Sequence, residues 1–502
     1  MDSWIYPVLD RLSTFGYIRD QATGMRPWTR AECVRQLSEA EEVMAARADR
    51  NPEEAVKLIR ALRREFKHED GGVRIDSFYT RALGVSGKPL ADGYNFGQTV
   101  INDYGRPLGE GFNAIEGLSA YATAGRFSIY SRAEFQHAPS FSSPAAQLRP
   151  QADQLQPVLP AQPDGTNRFR ALDLYAGAQF GGWALTVGKQ ELWWGPGEAG
   201  PLSFSNNAEP FYSFRFTSTA PLVLPGFLRR LGGFRVDLTG GKLSGHEAPP
   251  RPLLNGQKIT WNITRDLELG FTRWSLFGGA GVHALTAGAV IHNLFANGAT
   301  FGNATDPGDR KSGFDFRWRC PWYPLTLYSD FYADDEPSPL ASPRRSAFSP
   351  GIYFASLPGL RNWDLRIEAP STRLATTDQG GHFLYWNSVY RDANTNRGNV
   401  LGTWAGRDGR GLLVKTTWWL TARSQVEFGY RQNRIGPAFL PGGGTQDDGS
   451  VRATFLPRPE VAFAVSTQYE RYSIPLLGGP RHNVAVAFEM KYTAGWRLFT
   501  KY

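Results

Sequence analysis

Apolar and charged residues alternate over short stretches along most of this chain. In Trp363-Asp364-Leu365-Arg366-Ile367-Glu368, one parity carries Trp, Leu and Ile and the other Asp, Arg and Glu. A strand sends successive side chains to opposite faces, so this stretch predicts a strand with one apolar and one charged side. The pattern recurs. Phe127, Ile129, Ala133 and Phe135 alternate with Tyr130, Arg132, Glu134 and Gln136. Phe234, Val236 and Leu238 alternate with Arg235 and Asp237, and Phe314, Phe316 and Trp318 with Asp315, Arg317 and Arg319. Val484, Val486, Phe488, Met490 and Tyr492 alternate with Ala485, Ala487, Glu489 and Lys491. A soluble sandwich keeps its charge outside and builds one dry core. Many strands with a charged face and no long apolar run instead predict a membrane barrel, apolar face to lipid and charged face to the lumen.

The first residues read differently. Ser3 to Phe15 carries Ile5, Leu9 and Leu12 at helical spacing. Thr29-Arg30-Ala31-Glu32 is a capping-box pattern that opens a helix to about Ala48. Asn51-Pro52-Glu53-Glu54 starts a third helix, to about Lys67, and Gly71-Gly72 ends it. The expected organisation is a helical bundle over 1–72, on the periplasmic side, and a barrel over 73–502. About 430 residues at roughly 24 per strand and connection give about 18 antiparallel strands. The fold class predicted is an all-β transmembrane barrel with a small N-terminal α-helical bundle. Turn-rich gaps at 138–167, 244–257, 302–312, 335–350, 391–399 and 434–449 are expected as the long outer loops.

Composition fits this picture. Aromatics are 13% of the 502 residues, with 15 Trp, 20 Tyr and 32 Phe, which suits interfacial girdles and equally sugar-binding surfaces. Mean hydropathy is −0.37, and no stretch approaches the twenty apolar residues of a helical span. Cys33 and Cys320 lie in segments of different type and are not expected to pair. Net charge is +8, which suits lipopolysaccharide or an acidic polysaccharide, or is simply a modest Arg excess in lumen and loops. Met1-Asp2-Ser3-Trp4 shows no secretory signal, although an outer-membrane protein needs one; a mature form with an added Met, or a mis-set start, is expected.

The densest motif runs from Val187 through Trp193-Trp194-Gly195-Pro196-Gly197 to Ser205-Asn206-Asn207-Ala208. Trp193-Trp194 is read as a strand end, and Gly195-Pro196-Gly197 as a turn. Two indoles and several amides could form a sugar platform, or belong to a loop folded into the lumen. Asp330, Asp334, Asp335 and Glu336 lack calcium-loop spacing and are read as lumenal charge paired with arginine. His68, His137, His246, His283, His292, His382 and His482 show no metal spacing. No Gly-x-Ser-x-Gly elbow and no nucleic-acid signature is present, and no cofactor is expected.

At the Trp-Gly motif the chain resembles the capsule assembly protein Wzi family of Gram-negative outer membranes. The resemblance rests on Lys189 to Ala208, Asn255 to Ile259, Glu268 to Arg273 and Leu401 to Gly409, and spans nearly the whole chain. It implies a barrel of about 18 strands with a periplasmic helical bundle, and a non-enzymatic, lectin-like role in attaching capsular polysaccharide. Trp193, Trp194, Asn206, Asn207, Trp404 and Arg407 are the candidate polysaccharide-binding residues. The expected partners are capsular or exported polysaccharide, outer-membrane lipid and lipopolysaccharide; a monomer is expected. A porin, an outer-membrane lipid- or glycan-modifying enzyme and a soluble glycan enzyme are the competing readings. Mixed charge inside Trp363–Glu368 and similar strands favours a plugged barrel over an open pore.

Overall fold

In the computed structural model, which describes residues 2–499 apart from 48–51, 67–71, 93–96, 141–164, 283–285, 296–307, 335–344, 375–383, 439 and 459, eighteen antiparallel strands close into one barrel. Closure is made by Gly72–Ser86 pairing with Gly479–Phe499, from Val73 opposite Phe499 to Ser86 opposite Val484. Trp496 and Phe499 therefore lie within the last strand, which runs past the clean alternation of residues 484–492; Thr500 to Tyr502 lie outside the described residues.

The alternation read from the sequence is the in–out pattern of the wall. Asp364, Arg366 and Glu368 are buried, while Trp363, Leu365 and Ile367 are half-buried. Arg235 and Asp237 are buried at 3% and 0%, and Leu238, the next residue of the strand, is 38% exposed. Phe127, Ile129, Val486 and Phe488 are 62%, 54%, 50% and 45% exposed, an outer surface that only lipid would cover. Aromatic pairs ring this face near one end, with Trp363 stacked on Trp418 at 5.8 Å, Phe234 on Trp261 at 5.4 Å and Trp183 on Phe216 at 4.7 Å. The wall also uses glycine for close approach. Gly351 faces Tyr328 across the strand pair, and its Cβ would collide with that ring.

Connections are unequal at the two ends. Phe180 and Trp183 are joined by Gly181-Gly182, whereas residues 190–211 and 369–408 connect strands at the opposite end. The end with short turns is closed by the N-terminal helices, α1 (Ile5–Thr14), α2 (Arg30–Arg47) and α3 (Glu53–Phe66). Thr29 Oγ1 caps α2 by accepting from Glu32 N at 3.2 Å. The Glu32 carboxylate turns away to Arg35 and to Arg235 of the wall, so only half of the capping box forms. Val8, Leu9, Leu12, Leu58, Ile59 and Leu62 are buried to 2% or less and pack with Trp419. Each contributes about 1.5–3 kcal/mol by leaving water. Arg11 docks α1 on the wall, donating to the carbonyls of Ala355 and Arg361, each at 2.9 Å.

Candidate functional site

The lumen is filled by polypeptide from both ends. Residues 190–211 leave the strand Trp183–Lys189, fold into the barrel and return to Tyr212–Ser218; every one is buried except half-buried Glu198. From the other end, residues 21–28 rise out of the helical segment. The two chains meet as a short antiparallel bridge. Arg26 N donates to Trp193 O at 2.9 Å, Trp193 N to Arg26 O at 3.0 Å, and Gly195 N to Gly24 O at 3.0 Å. Gly195 has φ +147°, and a Cβ there would strike Pro201. Trp193 and Trp194 thus do not end a strand; the strand stops at Lys189 and both lie in the inserted loop.

Inward-facing wall carboxylates hold this loop by its amides, since a buried N–H needs an acceptor. Glu368 accepts from Glu198 N at 2.8 Å and Ala199 N at 2.5 Å. Asp330 accepts from Leu202 N at 2.8 Å, and Asp237 from Trp194 Nε1 at 3.0 Å. Asp334 pairs with Lys311 at 2.6 Å. Asp330 and Asp334 are therefore lumenal, as expected, and meet a backbone amide and a lysine. Asp335, Glu336, His68, His283 and His382 lie outside the described residues. Among the described residues no His, Cys, Asp or Glu group has metal-holding geometry. Cys33 and Cys320 are separate free thiols.

Residues 384–408, from a second long connection, pack on top. Ser205 Oγ donates to Gly402 O at 2.6 Å, Asn207 Nδ2 to Val400 O at 3.1 Å and Tyr385 Oη to Leu202 O at 2.7 Å. The blocks Lys189 to Ala208 and Leu401 to Gly409, far apart in sequence, are thus in contact. Trp193, Trp194, Asn206, Asn207, Trp404 and Arg407 are all buried, at 4%, 0%, 4%, 1%, 3% and 0% exposure. Trp194 stands edge-on to Phe204 at 5.0 Å. Trp193 Nε1 donates to Gly197 O at 3.0 Å. The Arg431 guanidinium lies 5.4 Å over Trp404. Of the two roles open for this motif, its side chains occupy the one inside the lumen.

Several residues essential to the arrangement carry no local sequence signal. Tyr104, from the connection 87–110, has its hydroxyl 2.8 Å from Asp2 and 2.7 Å from Glu191, and accepts from Asn206 at 3.0 Å. Glu209 pairs with Lys189, with Arg170 at 3.1 Å and with Arg397 at 3.3 Å. The parity of Asp237, Asp330 and Glu368 could have marked them as lumenal; nothing marked their loop partners. Burial works against the Glu198 carboxylate, but Arg366 and Lys415, at 2.9 and 2.7 Å, outweigh it and hold its pKa far below the usual range. Asp103 is likewise held low against its burial, by Arg81 and Arg106. Burial lowers the Arg407 pKa, with Asp92 opposing.

Comparison with known proteins places this architecture. A family described as capsule assembly protein Wzi matches residues 82–483. An uncharacterized 55.8 kDa protein in the cps region of Klebsiella pneumoniae is 25% identical over 218 residues, 41% of each chain. The chain thus spans less than half the length of that relative. The solved structure of Wzi from Escherichia coli, described as an outer membrane protein involved in group 1 capsule assembly and a carbohydrate-binding β-barrel, superimposes with a TM-score of 0.73 at 17% identity, over 99% of both chains. That likeness concerns the fold.

Proposed function

The chain belongs to the capsule assembly protein Wzi family, and from that premise we propose that it is a lectin-like outer-membrane protein that holds capsular or exported polysaccharide at the cell surface. Long loops of bacterial barrels face outward and short turns face the periplasm. Residues 384–408 then form the exterior platform over the plug 190–211, and α1 to α3 a periplasmic base, with the organisation 1–72 and 73–502 read from the sequence.

One observation carries the reading. The lumen is crossed by a backbone bridge between residues 24–26 and 193–195, braced by wall carboxylates. A pore needs a continuous water path, whereas a surface that grips a polymer needs a rigid scaffold under its loops. The rings of Trp193, Trp194 and Trp404 and the side chains of Asn206, Asn207 and Arg407 are covered by the plug. We infer that these six act on polysaccharide by holding the platform's shape, with sugar contacts made at its rim. The protein works as a monomer, without a cofactor and without catalysing a reaction, in contact with lipid and lipopolysaccharide.

The test uses a strain lacking this gene and carrying either the wild type or Trp193→Ala with Trp194→Ala. Wild type should restore cell-bound polysaccharide. The double variant should leave heat-modifiable barrel in the membrane while cell-bound polysaccharide falls and released polysaccharide rises. Full retention by a folded double variant would remove the plug from the binding function.

A further inference from the structure

On the strands Gly409–Trp419, Gln425–Ile435 and Val461–Ile474 the outward face changes character toward the long-loop end. Lower on that face stand Trp418, Phe428, Tyr430, Val465 and Tyr469, 38–53% exposed. Farther along the same parity come Arg410, Arg434 and Arg471, all exposed. Their outward direction is fixed by their neighbours: Asn433 and Ile435 flank Arg434, and Glu470 and Tyr472 flank Arg471, all buried toward the lumen. Arg410 and Arg434 are direct cross-strand partners, and Arg471 is the partner of His482. Arg434 and Arg471 stand two strands apart and two residues out of register, since Arg434 is level with Ser473, which puts them roughly 12 Å apart, within converging reach of two arginine side chains.

Like charges directly opposite on an antiparallel pair destabilise it. Arg434 Nε donates to Gln432 Oε1 at 3.2 Å, a neutral partner that leaves the charge of the pair uncompensated. Among the described residues, no carboxylate makes an ion pair with Arg410, Arg434 or Arg471. Asp447 is the cross-strand partner of Arg471, yet its carboxylate accepts from Tyr430 at 3.0 Å and Gln432 at 2.8 Å. The patch lies where the apolar columns end, at the depth of lipid headgroups, with the tyrosines Tyr430 and Tyr469 below it.

We propose that Arg410, Arg434 and Arg471 bind the phosphate groups of an anionic glycolipid of the outer leaflet; this rests on the reading that the long loops face the cell exterior. Guanidinium groups match phosphate oxygens with paired, charge-assisted hydrogen bonds, and one bound phosphate would offset the Arg410–Arg434 repulsion. An acidic polysaccharide would meet the loops above instead of the wall at headgroup depth. Bound lipid would fix the height of the barrel, and so the height of the platform.

Native mass spectrometry of the full-length protein in neutral detergent tests this, with diphosphorylated lipid A and its dephosphorylated form as probes. The wild type should retain the diphosphorylated lipid at least tenfold better than the dephosphorylated one. Arg410→Gln with Arg434→Gln and Arg471→Gln should abolish that preference, and Arg126→Gln, at the short-turn end, should keep it. Equal retention of both lipids by the wild type would overturn the proposal, and this arm decides even if the triple variant folds poorly. Retention of the preference by a folded triple variant would overturn it too, as would displacement of the lipid by soluble acidic polysaccharide. Loss of lipid preference with capsule retention intact would leave the polysaccharide role standing, because the two are read in separate assays.

Discussion

Trp194→Ala should open the plug without opening the barrel. Trp194 is fully buried, stands edge-on to Phe204, and donates from its indole to Asp237 at 3.0 Å. Gly256 of the wall leaves room for its ring, since a Cβ there would come within 2.9 Å of it. Truncating a buried Trp to Ala costs about 3–5 kcal/mol. Asp237 is not orphaned by the change, because Arg215 pairs with it at 2.6 Å, so the loss is mostly packing. The cost falls on the inserted loop, because no wall strand loses a ladder hydrogen bond. At about 1.4 kcal/mol per tenfold, the opened fraction of residues 190–211 should rise by roughly two to three and a half orders of magnitude. Amide hydrogen exchange in detergent reads this directly. Loop amides, including Leu202 N and Gly195 N, should exchange correspondingly faster, while amides of Gly72–Ser86 and Gly479–Phe499 stay protected. Trp183→Ala, which removes an outer-face ring stacked on Phe216, should leave loop exchange unchanged. Equal acceleration in loop and wall, or none in the loop, would show that Trp194 does not hold the plug independently of the barrel.

Three further outcomes follow from the same geometry. Purified wild type in planar bilayers should give no stable large conductance; robust ohmic steps would restore the porin reading. Leu365→Arg places a charge on the lipid face and should cost about 2–4 kcal/mol near the bilayer midplane, lowering the heat-resistant fraction on gels, whereas Leu365→Ala should not; equal behaviour would mean that this face is not in lipid. The Glu198 pKa is lower folded than unfolded, so its contribution to plug stability is complete above about pH 4.5 and declines as pH falls toward the folded value. Loop exchange should therefore accelerate below that pH, and the acid dependence should shrink in Glu198→Gln; an unchanged dependence would show that other groups set it.

The barrel was legible because a strand's period is local. Six residues at 363–368 suffice to state which side faces water, and the wall follows that parity. The Thr29 cap is equally local. The plug was not legible, because its bonds join residues with no periodic relation: Arg26 to Trp193, Asp2 to Arg132 at 3.0 Å, Asn207 to Val400. The Trp-Gly stretch announced itself by composition, yet composition cannot tell an exposed ring from a buried one. Arg366 is a second instance. Its parity placed it in the lumen, but its role emerges only from partners on three other segments: Asp10 at 3.2 Å, Tyr328 at 2.9 Å and Glu198. Its replacement by leucine would strand buried carboxylates and is far from the mild change that strand parity alone suggests.

The central claim is that the long-loop end of a plugged barrel grips polysaccharide. Its most direct test is a hydrogen-exchange footprint of the wild-type protein in lipid nanodiscs, where both ends are accessible, with and without capsular polysaccharide purified from its own strain. Protection should be confined to the connections at the long-loop end, within 87–92, 97–110, 243–252 and 384–408, with the helices at the other end unchanged. Absence of protection, or protection centred on α1 to α3, would contradict it.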